Sequence, residues 1–125
     1  MDNSVSLEEL KHVQQMLTNN NWQSWVEKPQ WVMCAILTTD LDKAEEFMKS
    51  KNVVKEEQWS RNEKHWITSN NERWVWRRWD GLLTMRSYRF CKIAVDQYIR
   101  KDIFDRAIHA WTPRCYEMEI FEYEK

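Results

Sequence analysis

The residues that could carry chemistry in this chain are concentrated in one basic and aromatic segment. Between Glu72 and Lys92, six basic residues stand against two acidic ones, although the whole chain has a formal net charge of -1. Guanidinium groups pair with phosphates or carboxylates, and indoles stack on bases or fill pockets in a partner. The segment therefore predicts a binding surface. Its candidate residues are Arg73, Trp74, Trp76, Arg77, Arg78, Trp79, Arg86 and Arg89.

Strand alternation divides these candidates into two sets. In a strand, Trp74 and Trp76 would lie on one face and Arg73 and Arg77 on the other. Either the two indoles contact a partner, or they belong to the core and the arginines form a solvated outer face. Trp79 stands beside a predicted turn, so it is the indole we most expect to be partly exposed.

The remaining tryptophans favour a structural interpretation. Trp59 and Trp66 could extend an aromatic surface across neighbouring strands or fill the core, and we favour the core. Trp22, Trp25 and Trp31 cluster in one connection, where they would hold the first helix against the sheet.

Signals for an enzyme are sparse. The chain of 125 residues has one glycine, Gly81, which excludes the dinucleotide fingerprint, the phosphate-binding loop and the nucleophile elbow. His12, His65 and His109 lie on different predicted elements and lack zinc-ligand spacing, so we expect no metal and no cofactor. An enzyme would need a site assembled from distant residues, for example His65, Asp96 and His109.

The cysteines and the hydropathy pattern point to the cytoplasm. Cys34, Cys91 and Cys115 are odd in number and widely spaced, as expected of reduced thiols rather than a disulfide framework. A Cys91–His109 nucleophilic pair stays open, because such pairs meet only in three dimensions. The amino-terminal residues lack the pattern of a signal peptide, and no apolar run could span a bilayer, so we expect no membrane association.

The segment Met85–Gln97 resembles the Walker B region of phage terminase-type and helicase-type ATPases, in which an Arg-small-aromatic stretch leads into a hydrophobic strand ending in an acid. The resemblance implies that Asp96 corresponds to the acid that holds magnesium. Gln97 stands where the family has its catalytic Glu, and the chain has no glycine-lysine phosphate loop. The resemblance implies a viral or mobile-element origin, with the host cytoplasm as the location.

The elements that position these residues follow from capping and periodicity. Ser6 and Glu9 form a capping box, and Thr39 with Asp42 predicts a second helix start. The apolar run at 31–37 predicts a central strand covered on both faces. Asn70 and Asn71 predict a hairpin turn. The predicted helices span 6–18, 40–51 and 99–111, and the predicted strands span 31–37, 53–60, 64–69, 72–79, 90–95 and 115–123.

This order of elements predicts one α+β domain over residues 1–125, with a single mixed, mostly antiparallel sheet and about three packed helices. The function we expect is that of a small non-enzymatic binding protein that occupies a protein partner, such as a phage accessory, host-interaction or anti-defence factor. The alternative is a nucleotide or single-stranded nucleic-acid binder that uses Trp stacking and Arg–phosphate contacts.

Overall fold

The computed structural model describes residues 4–18, 32–78, 90–111 and 115–124. Within these residues there are three helices and six strands. The helices are α1 (Leu7–Thr18), α2 (Leu41–Met48) and α3 (Lys101–Trp111). The strands are β1 (Val32–Leu37), β2 (Val53–Ser60), β3 (Glu63–Thr68), β4 (Glu72–Arg77), β5 (Lys92–Asp96) and β6 (Glu117–Phe121).

The helix starts show how short-range side-chain bonds set local structure. The Ser6 hydroxyl accepts a hydrogen bond of 3.1 Å from the Glu9 N–H, as the predicted capping box requires. Helix α2 is capped by Asp40, whose carboxylate accepts from the Asp42 N–H at 2.9 Å. The prediction of Thr39 as the cap was therefore wrong by one residue.

The sheet has the strand order β2-β3-β4-β1-β5-β6. Of the five strand pairings among the described residues, β1–β4, β1–β5 and β5–β6 are parallel, and only β2–β3 and β3–β4 are antiparallel. The expectation of a mostly antiparallel sheet was wrong, and the fold is closer to the α/β class. For β5 and β6 the physical reason is that α3 returns the chain in the same direction between them, as a crossover helix does.

Helices cover both faces of the sheet, as an α/β arrangement requires. On one face, Ala35 and Leu37 of β1 pack in a core with α1 and α3, and we call this the α1/α3 face. On the other, Cys34 and Ile36 pack with α2, and we call this the α2 face. Strand β1 lies between β4 and β5, so the prediction of a central strand at 31–37 is confirmed over its described residues, Val32–Leu37.

The antiparallel strands β2, β3 and β4 extend the parallel part of the sheet at one side. The predicted turn at Asn70 and Asn71 joins β3 to β4, and Asn71 has a φ of 64°, in the left-handed region that Asn tolerates. Strand β2 forms one edge of the sheet and is irregular between Val53 and Lys55 and between Gln58 and Ser60. In the described part of the chain, no helix is long and apolar enough to cross a membrane.

Candidate functional site

Two of the predicted binding residues, Trp74 and Trp76, are buried in the core of the α2 face. The Trp74 indole N–H donates to Glu72 Oε1 at 3.1 Å, and the Trp76 indole N–H donates to the Thr38 carbonyl at 2.9 Å. Both rings thus have internal partners for their polar group, as buried tryptophans normally do. Of the two interpretations that alternation allowed, the core is the one observed, and neither ring presents a face to a partner.

The arginines of β4 lie on the opposite face, where each pairs with a carboxylate. Arg73 Nη1 is 2.7 Å from Glu57 Oε1, and Arg77 Nε is 2.9 Å from Glu63 Oε1. Arg78 follows the strand and is exposed. The other predicted binding residues lie outside the described residues: Trp79, Arg86 and Arg89.

A buried histidine connects these two ion pairs. His65 Nε2 is 2.7 Å from Glu63 Oε2, and His65 Nδ1 is 2.9 Å from Arg73 Nη1. Arginine can only donate, so Nδ1 accepts and Nε2 carries the proton that is donated to Glu63. Burial, with the Arg73 charge adding to it, lowers the pKa of His65 below its ordinary value despite the nearby carboxylates. The ring is therefore neutral and held in one tautomer from both sides.

Trp59 lies over this histidine, and it is the exposed indole among the tryptophans of the six strands. Its ring stacks on His65 with centroids 4.0 Å apart and planes within 10°, and 54% of the residue is exposed. Its indole N–H lies 3.4 Å from Glu57 Oε1. Trp66, its predicted companion, is buried and donates to Glu56.

The sequence assigned both members of this tryptophan pair to the core, and the structure divides them. A signal was present, because the run from Lys55 to Gln58 is polar throughout, which is typical of an exposed edge strand. Trp66 instead lies in β3, which pairs with β2 on one side and with β4 on the other. Strand position, which sequence reasoning did not assign, separates the two indoles.

This part of the sheet carries more basic than acidic side chains, since six basic residues stand against three acidic ones in 55–65 and 73–78 together. The pKa of Glu57 is lowered to about 2, chiefly by the hydrogen bond from Arg73, so this carboxylate stays ionised. Lys55 is 3.3 Å from the same carboxylate. We give the name hairpin surface to a set of five residues. They are the exposed indole, the two arginines of β4 and the two exposed arginines beside the β2–β3 turn: Trp59, Arg73, Arg77, Arg61 and Arg78.

A second polar centre lies where the parallel strands end. Asp96 is buried, and its carboxylate accepts from Thr38 Oγ1 at 2.6 Å, from the Tyr98 N–H at 2.8 Å and from the Tyr123 hydroxyl at 2.8 and 2.9 Å. The helices that follow β1 and β5 cover opposite faces, and ligands of open α/β sheets often bind at such a switch point. Here the carboxylate accepts from neutral groups of the protein itself, which come from the segments after β1, β5 and β6. The Asp96 centre therefore links these three segments.

The residues considered for an assembled enzyme site lie in separate environments. His65 bonds to Glu63 and Arg73, Asp96 bonds to Thr38 and Tyr123, and His109 is exposed on α3. Among the described residues, no group of three or more histidine, cysteine and acidic side chains could hold a metal ion. The magnesium role that the Walker B resemblance implies for Asp96 stays a prediction.

The cysteines are free thiols. Cys34 and Cys115 are buried, and Cys91 is half-buried. Burial raises the pKa of Cys34 far above its ordinary value and raises that of Cys115 to about 12. Both thiols are thus protonated at neutral pH and unreactive as nucleophiles.

Of the two polar centres, the hairpin surface presents its groups outward, and the Asp96 centre turns its groups inward. The hairpin surface is therefore the candidate site. No protein-family model matches this chain, and neither a curated protein nor a solved structure matches it.

Proposed function

We propose that this chain is a binding protein that contacts a protein partner through the hairpin surface. The observation that carries the proposal is the position of Trp59, an indole more than half exposed and stacked on a buried, hydrogen-bonded His65. Tryptophan and arginine are the residues most enriched at binding hot spots. An aromatic ring that is already fixed loses less conformational entropy on binding, so more of its contact energy appears as affinity.

The contact uses side chains rather than added strands. Strand β2 is an edge, but Lys55, Glu56 and Glu57 stand in succession along it. Charges on an edge strand oppose pairing with another strand. The partner is thus expected to meet the indole and the guanidinium groups that lie on the face of the sheet and beside the β2–β3 turn.

Affinity capture from the native host tests this proposal. The wild-type chain and a Trp59→Ala/Arg78→Glu variant are immobilised, and the captured proteins are identified by mass spectrometry. An Arg106→Glu variant, which reverses one exposed charge on α3, is the control. We expect a protein that is captured by the wild type and the control and lost with the double variant. Equal capture by all three folded chains contradicts the proposal.

A second candidate function is binding of single-stranded nucleic acid. The specific observation that favours it is a stacked indole next to arginines, the combination with which proteins hold bases and phosphates. Titration with labelled oligothymidylate tests it, since binding should weaken steeply as salt rises and should require Trp59. No change in fluorescence anisotropy at about 50 mM salt, where such contacts are strong, contradicts it.

A further inference from the structure

We infer that the hairpin surface recognises an acidic segment of its partner, whose carboxylates contact the arginines while an apolar side chain packs on Trp59. The inference rests on the proposed function and adds the chemistry of the partner. It follows from the exposed cations of the surface, from the positions of Arg61 and Arg78, and from the place of Glu57 between two cations.

In one of the two ion pairs of the hairpin surface, the cation is the more exposed partner. The Arg77 side chain is 37% exposed and that of Glu63 is 9% exposed, whereas the Arg73 and Glu57 side chains are 25% and 26% exposed. Each carboxylate is contacted by a cation, Glu63 by Arg77 and Glu57 by Arg73. An approaching partner thus meets a cation first at Arg77 and at Lys55, which is 63% exposed, and such cations are complementary to negative charge on that partner.

The most exposed arginines stand together at the end of the hairpin. The Arg78 N–H donates to the Asn62 carbonyl at 3.0 Å, which places the Arg78 backbone against the β2–β3 turn that carries Arg61. Both residues are exposed. Guanidinium groups bind carboxylates through two parallel hydrogen bonds, so this pair is suited to acidic side chains of a peptide segment.

The same surface is poorly arranged for a nucleic-acid strand. Glu57 lies between Arg73 and Lys55 and is as exposed as Arg73, so a regular row of phosphates would meet this carboxylate as well as the cations. Among the tryptophans that lie in the six strands, Trp66, Trp74 and Trp76 are buried and Trp59 is more than half exposed, whereas single-strand binders stack successive bases on several rings. An acidic peptide can place a few carboxylates at the arginines and avoid Glu57.

Fluorescence anisotropy with defined probes tests the inference. The probes are a labelled ten-residue peptide of alternating aspartate and alanine with one central phenylalanine, its lysine counterpart, a neutral serine counterpart and oligothymidylate. They are titrated with the wild type, with Arg61→Glu/Arg78→Glu and with the Arg106→Glu control. We expect the wild type and the control to bind the aspartate peptide at least tenfold more tightly than the neutral one.

The charge-reversed variant makes the outcome specific. It should lose at least tenfold in affinity for the aspartate peptide and gain affinity for the lysine peptide, a change that a merely unfolded variant cannot produce. Equal binding of aspartate and neutral peptides, or tighter binding of oligothymidylate, overturns the inference. If capture from the host still depends on Trp59 and Arg78 in that case, the proposed function survives without it. If capture is also independent of both residues, the two fail together.

Discussion

Replacing Glu63 by glutamine should destabilise the fold far more than the same replacement at Glu56. The two glutamates accept similar bonds. Glu63 accepts from the His65 ring at 2.7 Å and from Arg77 at 2.9 Å, and Glu56 accepts from the Trp66 ring at 3.1 Å and pairs with Lys64 at 3.2 Å. They differ in burial, since the Glu63 side chain is 9% exposed and that of Glu56 is 57% exposed.

The size of the effect follows from what glutamine can accept. The amide oxygen of glutamine can accept a hydrogen bond from either His65 or Arg77. The amide nitrogen, which is itself a donor, then faces the other of these two donors. The histidine cannot adapt by moving its proton to Nδ1, because Nδ1 accepts from Arg73. A hydrogen bond to a charged group contributes about 1.5–3 kcal/mol, and Glu63 accepts two such bonds, of which the one from the buried His65 is the less replaceable by water. We therefore expect about 3 kcal/mol for Glu63→Gln.

The exposed counterpart is the matched control. An exposed ion pair contributes about 0–1 kcal/mol, so Glu56→Gln should cost less than about 1 kcal/mol. Urea denaturation of both variants measures the two free energies of unfolding, and unchanged m-values would show that the comparison is valid. If Glu63→Gln costs no more than Glu56→Gln, then burial does not set the strength of the network beneath Trp59.

Three further predictions concern groups outside the binding contact. The pKa of His65 is lowered below 6.5, so the unfolded chain takes up a proton that the folded chain does not, and stability should fall as pH falls below about 6.5. His65→Gln should therefore reduce the fall of the urea midpoint between pH 7.5 and pH 5.5. If the midpoint of this variant falls as steeply as that of the wild type, the prediction is contradicted. Tyr123→Phe removes one of the two hydroxyl donors of Asp96 and should cost about 1.5–3 kcal/mol by urea denaturation, whereas a cost below about 0.5 kcal/mol would show that the bond is dispensable. Iodoacetamide at pH 8 should label Cys34 and Cys115 only after unfolding, and rapid labelling of either in the native chain would contradict their burial.

Local patterns in the sequence predicted much of the secondary structure. The Ser6 cap, the central strand at 31–37 and the Asn71 turn depend on bonds and periodicity within a few residues, so each was recognisable from the chain alone. Alternation also placed Trp74 and Arg73 on opposite faces of one strand, as observed. In each case the residues that interact lie close together in the sequence.

The sequence by itself therefore determined which segments form helices and strands and which residues of a strand share a face. Only the tertiary structure decided that the sheet is mostly parallel, because strand partners are selected by crossovers between distant segments. It also decided that Trp59 is exposed and Trp66 is buried, since that depends on which strand forms the edge of the sheet. The network of Glu57, Glu63, His65 and Arg73 arises for the same reason: three strands must pair in one register before these side chains can meet.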